Sequence, residues 1–381
     1  MKDWKTFFYS LIAVLLLPCF LFVGVAEALL HRVCEDKVGT QDAIDLQLRD
    51  KALYGSALSG DVSFLKYGIV KAARPDILAI GSSRVMQFRK AFFKNASFYT
   101  MGGLVNSIGD LQHVCQEVIK IYTPQIIIIE ASWDWLNPNC LHKMQETPLL
   151  EGNGMGKRIY LYKHLCAEFV KNKKIREQVL RPRVEPVDTI GNRPTIGLMA
   201  AAEFRGFRED GSFQYGDRIL EPKSVAERLA DTHERIKNGN RRFERADKVD
   251  QNELAKLKYL IHEVKMNGCH VIVILPPLPN EIYQTLMDST GHSAFMRQYE
   301  QGVREVCEYE NVSFLDCSNM AWLGATDEEA LDGFHGSERT YGRIVLRLLE
   351  DKNCAPYINE TYIRQRMEES ESPIHIVPYD S

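Results

Sequence analysis

Residues 74–85, RPDILAIGSSRV, are the stretch from which the fold is read. Pro75 opens an apolar run, Ile77-Leu-Ala-Ile80, that stops at Gly81-Ser82-Ser83. A short unbroken apolar run between breakers is the signature of a strand buried on both faces. Ser97-Phe-Tyr-Thr100 repeats the pattern and ends in Met101-Gly102-Gly103. Leu111 to Ile121 has helical spacing, and Gln125-Ile-Ile-Ile-Ile129 is a third buried strand before Glu130-Ala-Ser-Trp133-Asp134-Trp135. The rhythm resumes at Asp250. There Asp250 and Glu253 form a capping-box pattern, and Leu254, Leu257, Leu260, Ile261 and Val264 line one helix face. Strand His270–Leu275, helix Phe295–Tyr309 and strand Val312–Leu315 follow. Strand and helix in alternation predict an α/β fold: three layers around a parallel sheet of the doubly wound kind, split between 76–139 and 250–358.

Between those halves, 140–249 is charged, interrupted by Pro and Gly, and lacks a comparable strand, so it reads as an insertion or cap. Within it Phe204–Tyr215 suggests a hairpin around Asp210-Gly211, and Glu221–Lys237 an amphipathic helix. Residues 31–75 read as a juxtamembrane connection, and 359–381 as a polar tail without fixed structure.

The first thirty residues differ from everything after them. Phe7–Leu30 carries one charged side chain, Glu27, and as a helix would reach about 36 Å, enough for a hydrocarbon core of roughly 30 Å. Lys2 and Lys5 precede it, and their basic excess favours a cytoplasmic N-terminus with the rest of the chain outside the cytoplasmic membrane. Ala26-Glu27-Ala28 also fits a signal-peptidase site, but the apolar run is longer than a signal core, which favours a retained single-pass anchor.

With 47 basic and 51 acidic residues, the net charge of −4 gives no electrostatic case for nucleic acid. No two of the nine cysteines stand at C-x-x-C spacing, which removes zinc ribbons and thioredoxin-type motifs; Cys115 and Cys269 read as small buried residues. A phosphate-binding P-loop, G-x-G-x-x-G after a strand, H-E-x-x-H and G-x-S-x-G are all missing, and no residue set calls for a metal or cofactor.

Two features remain. Ser82-Ser83-Arg84 lies at the carboxyl end of the first strand, where open parallel sheets bind ligands. Asp332-Gly-Phe-His335 precedes a helical stretch; an Asp three residues before a His can hold the imidazole so that Nε2 faces a nucleophile. Each alone is a common turn or cap, but their order along an α/β chain points to a serine nucleophile. Arg84 reads as a solvated or helix-terminal side chain, able at most to steer an anion.

These blocks resemble the SGNH (GDSL-type) hydrolase superfamily. The resemblance covers roughly 76–135 and 250–350. It implies Ser83 as nucleophile, His335 as base and Asp332 as its orienting acid, with an oxyanion hole from the backbone N–H groups of Ser83 and Gly103. Gly102 and Asn106 are alternatives to Gly103. The third block departs from the family's Gly-x-Asn-Asp: Trp133 stands where an amide is expected, and Asn137 is the nearest replacement. With the membrane segment, the chain is most similar to the membrane-anchored subset that includes alginate O-acetylation proteins and the DltD type of lipoteichoic-acid D-alanylation protein. That subset implies acyl transfer onto a cell-surface polymer beside a membrane-bound O-acyltransferase. Trp133 and Trp135 would then be a sugar-stacking surface, or else core or rim aromatics. An esterase and a catalytically inactive polymer-binding scaffold are the competing readings.

Overall fold

The computed structural model describes residues 2–33, 38–55, 62–140, 155–181, 188–190, 193–216 and 223–378. The chain forms two compact units, one of residues 1–65, 150–209 and 214–218, the other of 66–149, 210–213 and 219–381. This division replaces the expected boundaries at 140 and 249. Residues 31–65 of the supposed connection share a unit with 150–209 of the supposed insertion, while 66–75, 140–149 and 219–249 belong with the α/β half.

In the first unit, helix Lys2–Val33 contains one stretch, Trp4–Ala28, long and apolar enough to span a membrane. At 1.5 Å per residue those 25 residues reach about 37 Å. Near its end Glu27 accepts a hydrogen bond from the Tyr162 hydroxyl on helix Met155–Lys171, and Phe22 meets the Tyr162 ring edge-on at 6.4 Å. A small sheet pairs Leu53–Tyr54 in parallel with Arg193–Ile196 and antiparallel with Gly206–Phe207. Gly206–Phe207 and Phe213–Gln214 are the arms of the expected hairpin; its turn, 210–213 with Gly211 at φ +77°, is counted with the second unit.

The second unit carries the sheet anticipated from the apolar runs: β1 (Ile77–Gly81), β2 (Phe98–Gly102), β3 (Ile126–Glu130), β4 (His270–Leu275) and β5 (Ser313–Asp316). All pairs are parallel, in the spatial order β2-β1-β3-β4-β5, a doubly wound order whose reversal falls between β1 and β3. Alternation along each strand divides the apolar side chains between two faces. Ile77, Ala79, Ile126, Ile128, Ile272 and Ile274 join Tyr341, Ile344 and Val345 of helix Glu338–Arg347 in one core. Helices Ile108–Ile121, Gln251–Met266 and Ser293–Glu310 pack side by side against the sheet, with Gln251–Met266 between the other two. The capping box at Asp250 is half formed. Its carboxylate accepts from the N–H groups of Asn252 and Glu253, but its own N–H goes to Leu136 O rather than to Glu253.

The tail is ordered as far as residue 378. Helix Glu360–Glu369 is followed by buried Ile374, Ile376 and Val377, so the expectation of a tail without fixed structure is corrected for 359–378. The apolar residues of its mixed run cover the core of helix Glu338–Arg347, and Glu338 Oε2 accepts the N–H groups of Ile376 and Val377, each at 2.9 Å. Residues 379–381 lie outside the described residues.

Candidate active site

The site is built at the carboxyl ends of β1, β2 and β3, beside the reversal in strand order. After β1 the chain turns at once, and Gly81 is required there. A Cβ at Gly81 would come within 2.4 Å of Glu130 Oε2 and 2.7 Å of Glu130 Cβ. Glu130, at the end of β3, is fully buried. Its carboxylate accepts the Ser82 N–H at 2.6 Å and the Ser82 hydroxyl at 2.8 Å. Ser82 Oγ in turn accepts the Arg84 N–H at 3.2 Å. The turn that carries Ser83 is thus fixed from below by side chain as well as backbone.

Ser83 Oγ lies 2.8 Å from His335 Nε2, and His335 Nδ1 lies 2.9 Å and 3.0 Å from the two Asp332 oxygens. Asp332 Oδ1 also accepts the backbone N–H groups of Phe334 and His335. Burial raises the Asp332 pKa, but the His335 charge and these donors outweigh it and hold the carboxyl down at about 2. An ionised carboxylate only accepts, so the proton of the neutral imidazole sits on Nδ1 and the Nε2 lone pair faces Ser83. The loop closes on itself through Leu331 N–H to His335 O and an Ala330–Gly336 bridge, and Ser337 then caps helix Glu338–Arg347.

Arg84 is not solvated. It is buried, donating from Nη2 to Pro276 O at 2.9 Å and Pro277 O at 2.7 Å, with its guanidinium 4.4 Å from the Trp133 ring centroid and 4.8 Å from that of Phe334. Its Nε and Nη1 are buried without a hydrogen-bond partner. Burial lowers the Arg84 pKa and raises that of Glu130, and each charge opposes the shift of the other.

Trp133 and Trp135 are 3% and 4% exposed. A sugar ring cannot stack on faces already covered, so the substrate-stacking role is corrected in favour of the core reading. Trp133 packs on Phe243 and Phe334 and donates its indole N–H to Arg242 O at 3.2 Å.

The expected oxyanion donors divide. The Ser83 N–H has no partner among the described residues. The Gly103 N–H is spent on Gly81 O at 3.1 Å, because the parallel ladder of β1 and β2 runs one residue past Gly102. The Gly102 N–H goes to Thr100 Oγ1 at 3.1 Å and the Asn106 N–H to Asp110 Oδ2 at 3.0 Å. Asn137 turns its amide away, donating to Glu244 O at 2.6 Å.

Sequence reading missed Arg242. It lies in the supposed insertion but in the same compact unit as the triad, donating from Nη1 to Asp134 Oδ2 at 2.8 Å and from Nη2 to Asn106 Oδ1 at 3.1 Å. Arg241 and Arg242 both adopt positive φ, +54° and +84°, uncommon for side chains with a Cβ. The Arg241-Arg242 pair was visible, but nothing in its spacing tied it to Asn106 or Asp134.

Such an arrangement can perform nucleophilic acyl chemistry: a hydroxyl, a base aligned to take its proton, and a carboxylate that keeps the base in the right tautomer. No family model matches the chain, and no curated protein matches it in sequence.

Proposed function

We propose that this chain is a membrane-anchored serine acyl-transfer enzyme of SGNH type, working outside the cytoplasmic membrane on a cell-surface polymer. The observation that carries the reading is the unbroken hydrogen-bonded series Ser83–His335–Asp332, assembled from two loops 252 residues apart. In the first half-reaction Ser83 Oγ attacks the acyl carbonyl while His335 Nε2 takes the serine proton. The tetrahedral intermediate collapses, His335 returns the proton to the departing donor oxygen or sulfur, and the acyl group stays on Ser83. In the second, a polymer hydroxyl attacks the acyl-serine, His335 accepts its proton, and that proton passes to Ser83 as the serine ester breaks. Asp332 stays ionised throughout and stabilises the imidazolium formed at each step.

The retained anchor is supported by Glu27 and buried Ala26. Both belong to a helix end that packs on Met155–Lys171, so cleavage at 26–28 would remove part of a formed contact. Lys2 and Lys5, ahead of the apolar run that starts at Phe7, favour an inside N-terminus, and on that orientation the triad would lie on the far side. A membrane-bound O-acyltransferase is the donor partner that this placement suits. Hydrolysis shares the first half-reaction. It is favoured by the partial exposure of Ser83 and His335, which lets water reach the acyl-serine.

A serine-directed fluorophosphonate tests the reading. Labelling should map to Ser83 and disappear in Ser83→Ala and His335→Ala. Full labelling elsewhere, or unchanged acylation of the surface polymer in cells carrying those variants, would overturn it. Loss of acyl groups to an oligosaccharide rather than to water separates transferase from esterase.

A further inference from the structure

A serine acyl-transfer site needs donors aimed at the oxyanion that forms on the attacked carbonyl. One is the Ser83 N–H, which has no partner among the described residues. The three backbone N–H groups first considered for the second, those of Gly102, Gly103 and Asn106, are each held by another acceptor. The side chain at Trp133 carries no amide, and the Asn137 amide is engaged with Glu244 O.

One side-chain amide at the same edge of the sheet remains unspent. Asn106 is exposed, four residues past Gly102, whose register partner is Gly81 at the start of the nucleophile turn. Arg242 Nη2 donates to one oxygen-or-nitrogen position of that amide at 3.1 Å. Guanidinium nitrogens only donate, so the atom facing Arg242 is Oδ1 and the NH2 group points the other way. Among the described residues Asn106 Nδ2 has no partner. Arg242 itself is fixed three times over. Buried Asp134 accepts its Nη1, its carbonyl takes the Trp133 indole N–H, and its guanidinium lies 5.8 Å from the ring centroid of Phe334, next to His335. Its positive φ of +84° is held by those contacts.

We propose that the Asn106 side-chain amide is the second oxyanion donor of this site, and that Arg242 is its positioning residue. The amide that the third block lacks would come from the loop after β2 instead, turned to present nitrogen by a cation reaching in from 219–249. The proposal rests on the serine acyl-transfer reading.

The test is the second-order rate of Ser83 labelling by a fluorophosphonate, measured on the full chain in detergent micelles. The phosphoryl oxygen of that probe develops charge where the substrate oxyanion would. Asn106→Ala should slow labelling by about 10²–10³-fold, the usual cost of one oxyanion donor. Asn106→Asp should slow it at least as much, because it keeps the acceptor for Arg242 and loses the donor, so this variant separates chemistry from folding. Arg242→Met should slow labelling alone but add nothing in the Asn106→Ala background, whereas a purely structural role would be additive. Labelling within threefold of normal in Asn106→Ala or Asn106→Asp, or additive losses, overturns this inference while leaving Ser83 as nucleophile. Labelling that persists in Ser83→Ala overturns the underlying reading instead.

Discussion

Arg84 and Phe334, the chain neighbours of Ser83 and His335, stack with the guanidinium 4.8 Å from the ring centroid. The nucleophile and the base are thus tied by their neighbours as well as by their own 2.8 Å contact. Arg84 also takes two carbonyls of the Pro276-Pro277 turn that ends β4, and its own carbonyl accepts the Tyr341 hydroxyl from the helix after His335. A cation that costs solvation to bury is held where it joins the ends of three separate segments.

Arg84→Lys should therefore be far from conservative. One ammonium cannot bond both proline carbonyls and lie flat on two rings. We expect a loss of about 2–4 kcal/mol in unfolding free energy, from unsatisfied carbonyls and lost stacking. Ser83 labelling should slow at temperatures where the variant is still folded. A variant that unfolds at the normal midpoint and labels at the normal rate would remove Arg84 from this role.

Asp332→Asn keeps the size of the side chain but can donate to Nδ1, which turns the imidazole to the tautomer with its proton on Nε2. In the best-studied serine proteases that exchange costs about 10⁴-fold in turnover. A comparable loss is expected here, with KM nearly unchanged and Asp332→Asn, His335→Ala double variants no worse than His335→Ala alone. Independent, multiplying losses would mean that Asp332 does not act through His335.

How much of this was legible in the sequence follows from the range of each interaction. Runs such as Ile126–Ile129 and Val271–Leu275 carry their own evidence, because a strand buried on both faces is filled mainly by apolar side chains. Ser83 and the Asp332–His335 pair were legible because each sits at a strand end or before a helix, where local pattern marks the place. Arg84, Glu130 and Arg242 were not. A charge paired inside the protein looks like a solvated one until its partner is known, and their partners lie 48 to more than 100 residues away. The same blindness made Trp133 and Trp135 look available for stacking, since the aromatic cluster that covers Trp133 includes Phe243 from the supposed insertion and Phe334 from the base loop.

The tail offers a test of folding rather than chemistry. Ending the chain at Ser372 removes Ile374, Ile376 and Val377 and both backbone donors to Glu338, which also pairs with buried Arg89. Loss of that apolar burial should cost roughly 4–6 kcal/mol. Thermal unfolding would register it as a large drop in Tm, and a midpoint within a few degrees of normal would mean that the tail adds little.

Glu300 carries a pH dependence away from the triad. Burial, then the nearby Asp316 carboxylate, raise its pKa to about 7, against the donors Tyr283 and Ser318 and the Arg304 charge. In the unfolded chain the group ionises near 4.5. Between those values the folded form keeps a proton that the unfolded form has released, so its contribution to stability falls as pH rises from 4.5 to 7. Below 4.5 both forms are protonated and nothing is lost; above 7 the folded protein holds an ionised carboxylate in an unfavourable place. Glu300→Gln keeps an acceptor for the Tyr283 hydroxyl, which bonds Glu300 Oε1 at 2.9 Å, and cannot ionise. It should stabilise the protein by roughly 1–2 kcal/mol at pH 8, after allowance for solvent screening, and by nearly nothing at pH 4. Denaturant titrations at the two pH values measure the difference. Equal effects at both would show that Glu300 ionises normally in the folded chain.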